Sequence, residues 1–197
     1  MAGARHCSAC GAVLPPLAAH AADVGGAPPG PRVRPPVTCP ACGAQHWHNA
    51  KPCAGALVMR HGRLLLVRRA MEPWLGWWDI PGGFCEAEEH PMVAAAREAE
   101  EESGVGVKIT GFLGLWLDRY PDPADPEAVV TLNAYYHAVA GSEIGSPDPG
   151  ETAEIGWFPP DELPPVAFPG HADAVLAAWR EAVRDGRTVT PLPDRVG

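Results

Sequence analysis

Basic side chains are scarce in this 197-residue chain: 15 Lys and Arg stand against 24 Asp and Glu, leaving a formal net charge of −9. That balance opposes non-specific attraction to polyanions such as duplex DNA or anionic lipid, so neither a nucleic-acid nor a membrane partner is expected. Long apolar runs are missing as well. Nothing approaches the roughly 18 uninterrupted apolar residues of a membrane span, and the opening Met1-Ala2-Gly3-Ala4-Arg5-His6-Cys7 has no apolar stretch of leader length. A soluble, cytoplasmic protein is the expectation. Internal repeats are also absent. Against these absences, 24 prolines and 22 glycines come close to the level of unstructured sequence. The 46% of hydrophobic residues can still form a core, provided that the folded part is concentrated in particular stretches.

Four of the six cysteines fall into two pairs of identical spacing, Cys7-x2-Cys10 and Cys39-x2-Cys42, and each pair runs on into a glycine, Gly11 and Gly43. Two such knuckles make a tetrahedral thiolate site, and in a chain without an export signal a metal is favoured over disulfides. The expectation is one structural Zn2+ held by Cys7, Cys10, Cys39 and Cys42. Zinc–thiolate binding, worth about 10–16 kcal/mol in small fingers, can hold together a ribbon with little core. The stretch from about 14 to 37 between the pairs is rich in Pro, Ala and Gly without periodicity, and reads as a flexible insertion. Residues 1–50 are therefore assigned to a ribbon, 51–186 to a main domain and 187–197 to a tail.

In the main domain, Ala54–Met59 and Leu64–Val67 read as two strands of a hairpin turning at His61-Gly62. Val105–Leu117, Val129–Val139 and Ile155–Phe158 are further strands. A helix lies between the hairpin and these strands: Pro91 suits its first turn, Gly104 its end, and Met92, Ala95, Ala96 and Ala99 form a small apolar stripe. A second helix covers about Ala172–Arg184.

Glu98, Glu101 and Glu102 stand at i, i+3 and i+4 on the first helix, within a sector of roughly 100°. Like charges at this spacing destabilise a helix by about 0.2–0.5 kcal/mol per pair unless neutralised. An open carboxylate cluster suits Mg2+ or Mn2+ better than zinc. Immediately upstream, Trp78-Asp79-Ile80-Pro81-Gly82-Gly83-Phe84 reads as a glycine loop able to approach a phosphate, assisted by the positive end of the helix. A cation cluster and an anion-friendly backbone on one unit are the parts of metal-assisted phosphoryl chemistry.

The run Gly83-x5-Glu89-x7-Arg97-Glu98-Ala99-Glu100-Glu101-Glu102-Ser103-Gly104-Val105 resembles the signature of the Nudix hydrolases at every fixed position, with Ala99 where a larger aliphatic is usual. The resemblance implies an α/β/α sandwich around a mixed sheet, here preceded by a small zinc ribbon. It further implies that Glu98, Glu101 and Glu102 bind the catalytic cation with the carbonyl of Gly82, that Arg97 orients a carboxylate, and that Glu98 or Glu101 acts as base. Glu89 is the remaining acidic member and an additional candidate. The implied reaction is attack of water on the pyrophosphate of a nucleoside diphosphate linked to another group, releasing AMP and a phosphate monoester.

A ribbon followed by Asn49-Ala50-Lys51-Pro52 resembles the branch containing NADH, FAD and ADP-ribose pyrophosphatases. The Ser-Gln-Pro-Trp-Pro type sequence of the NADH enzymes has no counterpart between Gly111 and Pro126, so ADP-ribose or FAD stands ahead of NADH as the small-molecule nucleotide. Trp74, Trp77, Trp78 and Trp116 are aromatic candidates for a base, against the commoner role of core residues. Arg69 could reach a phosphate, and Glu154 could add a carboxylate. A second reading keeps the fold as a non-catalytic nucleotide-sensing regulator; the intact acidic spacing speaks against it. The resemblance also allows a homodimer, which no surface stripe demands.

Overall fold

A computed structural model describes residues 6–16, 36–120 and 129–186, apart from the side chains of 142–144. It divides into two compact units. One holds the described residues up to Ala50 with Arg119, Tyr120, Val129 and Val130; the other holds Lys51–Asp118 and the described residues from Thr131 onward.

In the first unit the two cysteine pairs fold alike. Gly11 N–H donates to the Cys7 carbonyl at 2.8 Å and Gly43 N–H to the Cys39 carbonyl at 2.9 Å. Both glycines sit at φ 75°, a left-handed conformation that lets the chain turn back beside the sulfurs. A two-stranded antiparallel ribbon, β1 (Val37–Thr38) and β2 (Gln45–His46), flanks the second knuckle. Cys7, Leu14 and Cys39 form its small buried core. Leu14 and Val37, the expected ends of the flexible insertion, thus belong to the folded ribbon; residues 17–35 and the tail 187–197 lie outside the described residues.

The second unit is built on a seven-stranded mixed sheet. β3 (Lys51–Arg60) and β4 (Arg63–Arg69) form the hairpin, turning at His61 (φ 49°) and Gly62 (φ 74°), the pair of positive φ values that a type I′ turn requires. β5 (Trp78–Asp79), β6 (Gly82–Phe84), β7 (Val105–Tyr120), β8 (Val129–Ile144) and β9 (Thr152–Phe158) complete it in the order β5-β4-β3-β8-β7, with β6 also on β3 and β9 also on β4. β3 runs parallel to β8 and antiparallel to β4 and β6.

Residues 53–58 of β3 are buried without alternation because both faces of the strand are covered. On one face Ala54, Ala56, Val58 and Leu65 pack with Ala94, Ala95 and Ala99 of α1 (Pro91–Ser103). On the other, Leu57, Leu64 and Leu66 pack with Val175, Leu176 and Trp179 of α2 (Pro169–Arg184). The result is an α/β/α sandwich.

α1 ends where its sequence dictates. Pro91 opens it, His90 Nδ1 accepts from Met92 N–H at 3.1 Å, and Gly104 at φ 69° closes it with its N–H on the Glu100 carbonyl. The buried stripe differs from expectation at one position: Ala94 is buried and Ala96 only half-buried. The buried face is thereby shifted toward the glutamates: at helical spacing Glu98 and Glu102 fall in the same sector as Ala94, Ala95 and Ala99.

Candidate active site and thiolate centre

The glycine segment is not a loop. Gly82 and Gly83 lie in β6, opposite Gly55 and Ala54 of β3. A Cβ on Gly82 would sit 2.6 Å from the Ala54 carbonyl oxygen and 2.7 Å from Gly55 Cα, so the strands can pair this closely only with glycine there. A Cβ on Gly83 would lie 2.7 Å from the carboxyl carbon and both oxygens of Glu98. The two glycines therefore make room for the sheet on one side and for a glutamate on the other. Gly82 N–H is spent on Glu102 Oε2 at 2.9 Å, which anchors α1 to β6.

Arg97 is the hub of the cluster. Nε and Nη2 donate to the two oxygens of Glu89, Nη1 reaches Glu98 Oε1 at 2.9 Å and Glu101 Oε2 at 2.8 Å, and Nη2 also donates to the Phe84 carbonyl at 3.2 Å. Glu89 in turn accepts from Glu86 N–H at 3.0 Å. The Arg97 hydrogen bonds and that amide hold the Glu89 carboxyl below its usual range, while Glu89 first, then Glu101 and Glu98, keep the guanidinium firmly charged.

The three signature glutamates do not converge on each other. Glu98 and Glu101 share Arg97, whereas Glu102 turns inward to Gly82. Mutual repulsion and the nearest available donors explain the split. Glu98 is well covered and Glu101 is open to solvent, with side-chain exposures of 12% and 57%. Burial is the main force raising Glu98. Burial also pushes Glu102 up to about 8, helped by the charges of Asp79, Glu98 and Glu151 and opposed by the Gly82 amide. Carboxylate oxygens are the donors that a hard divalent cation prefers, but among the described residues the four cysteines alone gather as a ready metal-binding group.

Two further acidic side chains, Asp79 and Glu151, act on the signature glutamates. Asp79, on β5, is itself pushed up to about 6 by burial, against the pull of Arg69. Glu151 acts on both Glu98 and Glu102, whereas Glu154 pairs with Arg68 at 3.3 Å on an exposed stretch of β9 and β4. The β9 register, Arg68 opposite Glu154, accounts for that difference. Arg69 is engaged: Nη1 bonds Asp79 Oδ2 at 3.0 Å, Nε donates to the Pro73 carbonyl at 2.7 Å, and the guanidinium lies over the Phe168 ring. Trp78 and Trp116 pack against the α2-side core. From the other sheet face Tyr135 hydrogen-bonds His171 at 3.0 Å.

In the first unit the four cysteine sulfurs all lie within 4.8 Å of one another, with Cys7–Cys42 at 3.6 Å and Cys10–Cys39 at 3.7 Å. A tetrahedron with Zn–S bonds of about 2.3 Å has edges of about 3.8 Å, so the donor set and spacing fit zinc. Burial would raise the Cys39 thiol, yet the amides of Ala41 and Cys42 and the neighbouring thiols bring it down to about 7. His46 Nε2 stands 3.3 Å from Cys7 Sγ. Among the described residues no helix is long and apolar enough to cross a membrane.

A mixed sheet between two helices, with a carboxylate-bearing helix pinned to a glycine strand, is the arrangement of Nudix domains, and the NUDIX domain model matches residues 50–178. The chain belongs to the Nudix hydrolase family. It is 33% identical over 191 residues to the NAD-capped RNA hydrolase NudC of Stutzerimonas stutzeri, covering 96% of this chain and 60% of that protein. It is 32% identical over 112 residues to the ADP-ribose pyrophosphatase of Methanocaldococcus jannaschii, covering 57% of this chain and 63% of that protein. The chain thus spans less than two thirds of the length of these curated relatives. A crystal structure of a NUDIX hydrolase from Nitrosomonas europaea superposes with a TM-score of 0.70 at 25% identity, covering 95% of this chain and 97% of that one.

Proposed function

We propose that the chain hydrolyses the pyrophosphate linkage of a nucleoside diphosphate joined to a second group, releasing AMP and a phosphate monoester. ADP-ribose and FAD stand ahead of NADH. The observation that carries this is the Arg97 network, which ties Glu89, Glu98 and Glu101 into one rigid unit while Glu102 is pinned to Gly82. The relative named an ADP-ribose pyrophosphatase supports the substrate class.

Glu98, Glu101 and Glu102, with the Gly82 carbonyl, would hold Mg2+ or Mn2+. Such an ion, when bound, offsets phosphate charge and lowers the pKa of a coordinated water. Arg97 keeps the Glu98 and Glu101 carboxylates oriented, and Glu89 fixes Arg97. Glu98 or Glu101 takes a proton from the attacking water as its oxygen bonds to phosphorus; the P–O bond to the bridging oxygen breaks, and the departing phosphate is released as the second monoester. In the first unit Cys7, Cys10, Cys39 and Cys42 would hold one structural Zn2+.

The relative named for NAD-capped RNA keeps RNA within the test, despite the net charge of −9. Purified protein with Mg2+ or Mn2+ should be offered ADP-ribose, FAD, NADH and NAD-capped RNA in ¹⁸O-water, with products read by mass spectrometry. Labelled AMP or labelled partner monoester from one of them is the expected result. No cleavage of any, by folded protein that still binds ADP-ribose, would turn the reading toward a nucleotide sensor.

A further inference from the structure

Residues 70–77 join β4 to β5, and this connection is more rigid than its length and exposure suggest. Arg69 N–H donates to the Trp77 carbonyl and Gly76 N–H to the Arg69 carbonyl, each at 2.9 Å, and Trp77 N–H to the Trp74 carbonyl at 3.0 Å. Arg68 and Arg69 cap the carbonyls of Gly76 and Pro73 at 2.9 and 2.7 Å. Trp74 takes a left-handed φ of 67°, rare for a bulky residue, as does Phe168 at 52°. Their rings meet edge-on at 5.9 Å, and Trp74 in turn supports Trp77 edge-on at 5.0 Å. Yet Trp77 is 40% exposed. A large ring held in place by its neighbours and left open to water is a preorganised contact surface.

Register says which way that surface lies. β4 and β5 pair Val67 with Asp79 and Arg68 with Trp78. Beyond them Gly76 and Trp77 both oppose Arg69, whose carbonyl accepts from Gly76 N–H and whose N–H donates to the Trp77 carbonyl, a two-for-one bulge with Gly76 at φ 80°. Alternation then puts Trp77 on the face of Asp79 and Arg69, which bond each other at 3.0 Å. Leu65 and Val67 share that face, and Leu65 packs in the α1-side core. The Asp79 charge also acts on Glu102. Trp77 therefore stands on the carboxylate-helix side of the sheet, two residues from Asp79.

We propose that Trp77, braced by Trp74, is the stacking surface for the purine base of the nucleotide whose pyrophosphate the Glu98–Glu102 cluster takes. This rests on the pyrophosphohydrolase reading for its ligand. The occupant follows from the surface: a flat, polarisable ring facing water on the same sheet face as Asp79, whose charge acts on Glu102, suits a base attached to phosphates. Base–aromatic stacking tolerates any base and typically changes affinity by about tenfold or more.

The test uses the full chain. Trp77→Ala should raise KM for ADP-ribose about tenfold with kcat within about twofold, and Trp77→Phe should restore most of it. The indole N–H resonance of Trp77, assigned by its loss in Trp77→Phe, should shift on adding AMP without divalent cation and stay in place with ribose 5-phosphate. An unchanged KM in Trp77→Ala, or equal shifts with the two phosphates, overturns the proposal while leaving hydrolysis intact. An AMP-specific shift in a protein that cleaves nothing sustains the platform and removes the hydrolytic reading. Met71 and Leu75 are also exposed on this loop; a concentration-dependent dimer abolished by Trp77→Ala, with KM unaltered, would assign the surface to a second copy and overturn the base platform.

Discussion

Arg97 grips Glu89 in two parallel hydrogen bonds, Nε to Oε1 and Nη2 to Oε2, each 2.9 Å long. The fork leaves Nη1 to Glu98 and Glu101, so one planar cation sets the direction of two candidate metal ligands. Lysine supplies the charge without the fork. Arg97→Lys should therefore lower kcat on the preferred substrate about 100-fold, roughly 2.7 kcal/mol of transition-state stabilisation. Glu89→Gln, which keeps the shape and loses the charge, should give a smaller loss in the same direction. Circular dichroism and steady-state kinetics on both variants check this; near-wild-type turnover in Arg97→Lys would show that Arg97 does not position the carboxylates.

The two adjacent glycines predict opposite phenotypes. At Gly83 a methyl group meets only the end of the Glu98 side chain, which can swing away, so Gly83→Ala should fold with little change in melting temperature and lose most turnover. At Gly82 the same methyl meets backbone of β3, which cannot yield without breaking the strand pair. Gly82→Ala should be destabilised by about 1–3 kcal/mol as an overpacked site. Urea titrations with activity assays separate the two, and equal stability losses would contradict the geometry.

Glu102 should make the fold depend on pH in an unusual sense. Its folded-state pKa, raised by burial to about 8, lies far above the roughly 4.3 of an unfolded glutamate. Between these values the native state keeps a proton that the unfolded chain has released, so stability is full below about 4.3 and falls as pH rises through 8. Asp79, raised to about 6 by burial, contributes in the same direction over a lower window. Glu89, depressed by Arg97, works oppositely and loses its contribution only in acid. In magnesium-free buffer the melting temperature should drop from pH 5.5 to pH 8.5. Glu102→Gln should flatten that slope and exceed the wild type in stability at pH 8.5, while turnover vanishes. A divalent cation should restore wild-type stability at high pH. An unchanged slope in Glu102→Gln would mean that another group carries the titration.

The limits of α1, from Pro91 to Gly104, and the turn at His61-Gly62 were readable because each depends on local backbone preference. The cysteine knuckles were readable for the same reason. Glycines 82 and 83 were misread as a loop because their partner strand lies some 28 residues upstream, and short-range pattern carries no register. The surroundings of Glu102 were hidden likewise. The charges of Asp79 on β5 and of Glu151, in the turn just before β9, act on it, so its proton affinity is a property of three separated segments. Ala94 replaced Ala96 in the buried stripe because the sheet, not the helix, chooses the rotation about the helix axis.

The thiolate centre gives the last test. The sulfur separations of 3.6 and 3.7 Å match the edge of a zinc–thiolate tetrahedron, whereas a disulfide would require about 2.05 Å. Each pair also contributes one buried and one exposed sulfur, Cys7 with Cys10 and Cys39 with Cys42, so loss of either buried member should open the core shared with Leu14. The wild type should carry one zinc per chain by elemental analysis, and Cys39→Ser should carry close to none. Cobalt substitution should show the intense near-ultraviolet charge-transfer bands of four thiolates. His46→Ala should keep the zinc, because four sulfurs already complete the shell and His46 lies beyond it, 3.3 Å from Cys7 Sγ. Metal-free protein whose intact mass is lower by about 4 Da, the signature of two disulfides, would replace the zinc ribbon by a crosslinked one.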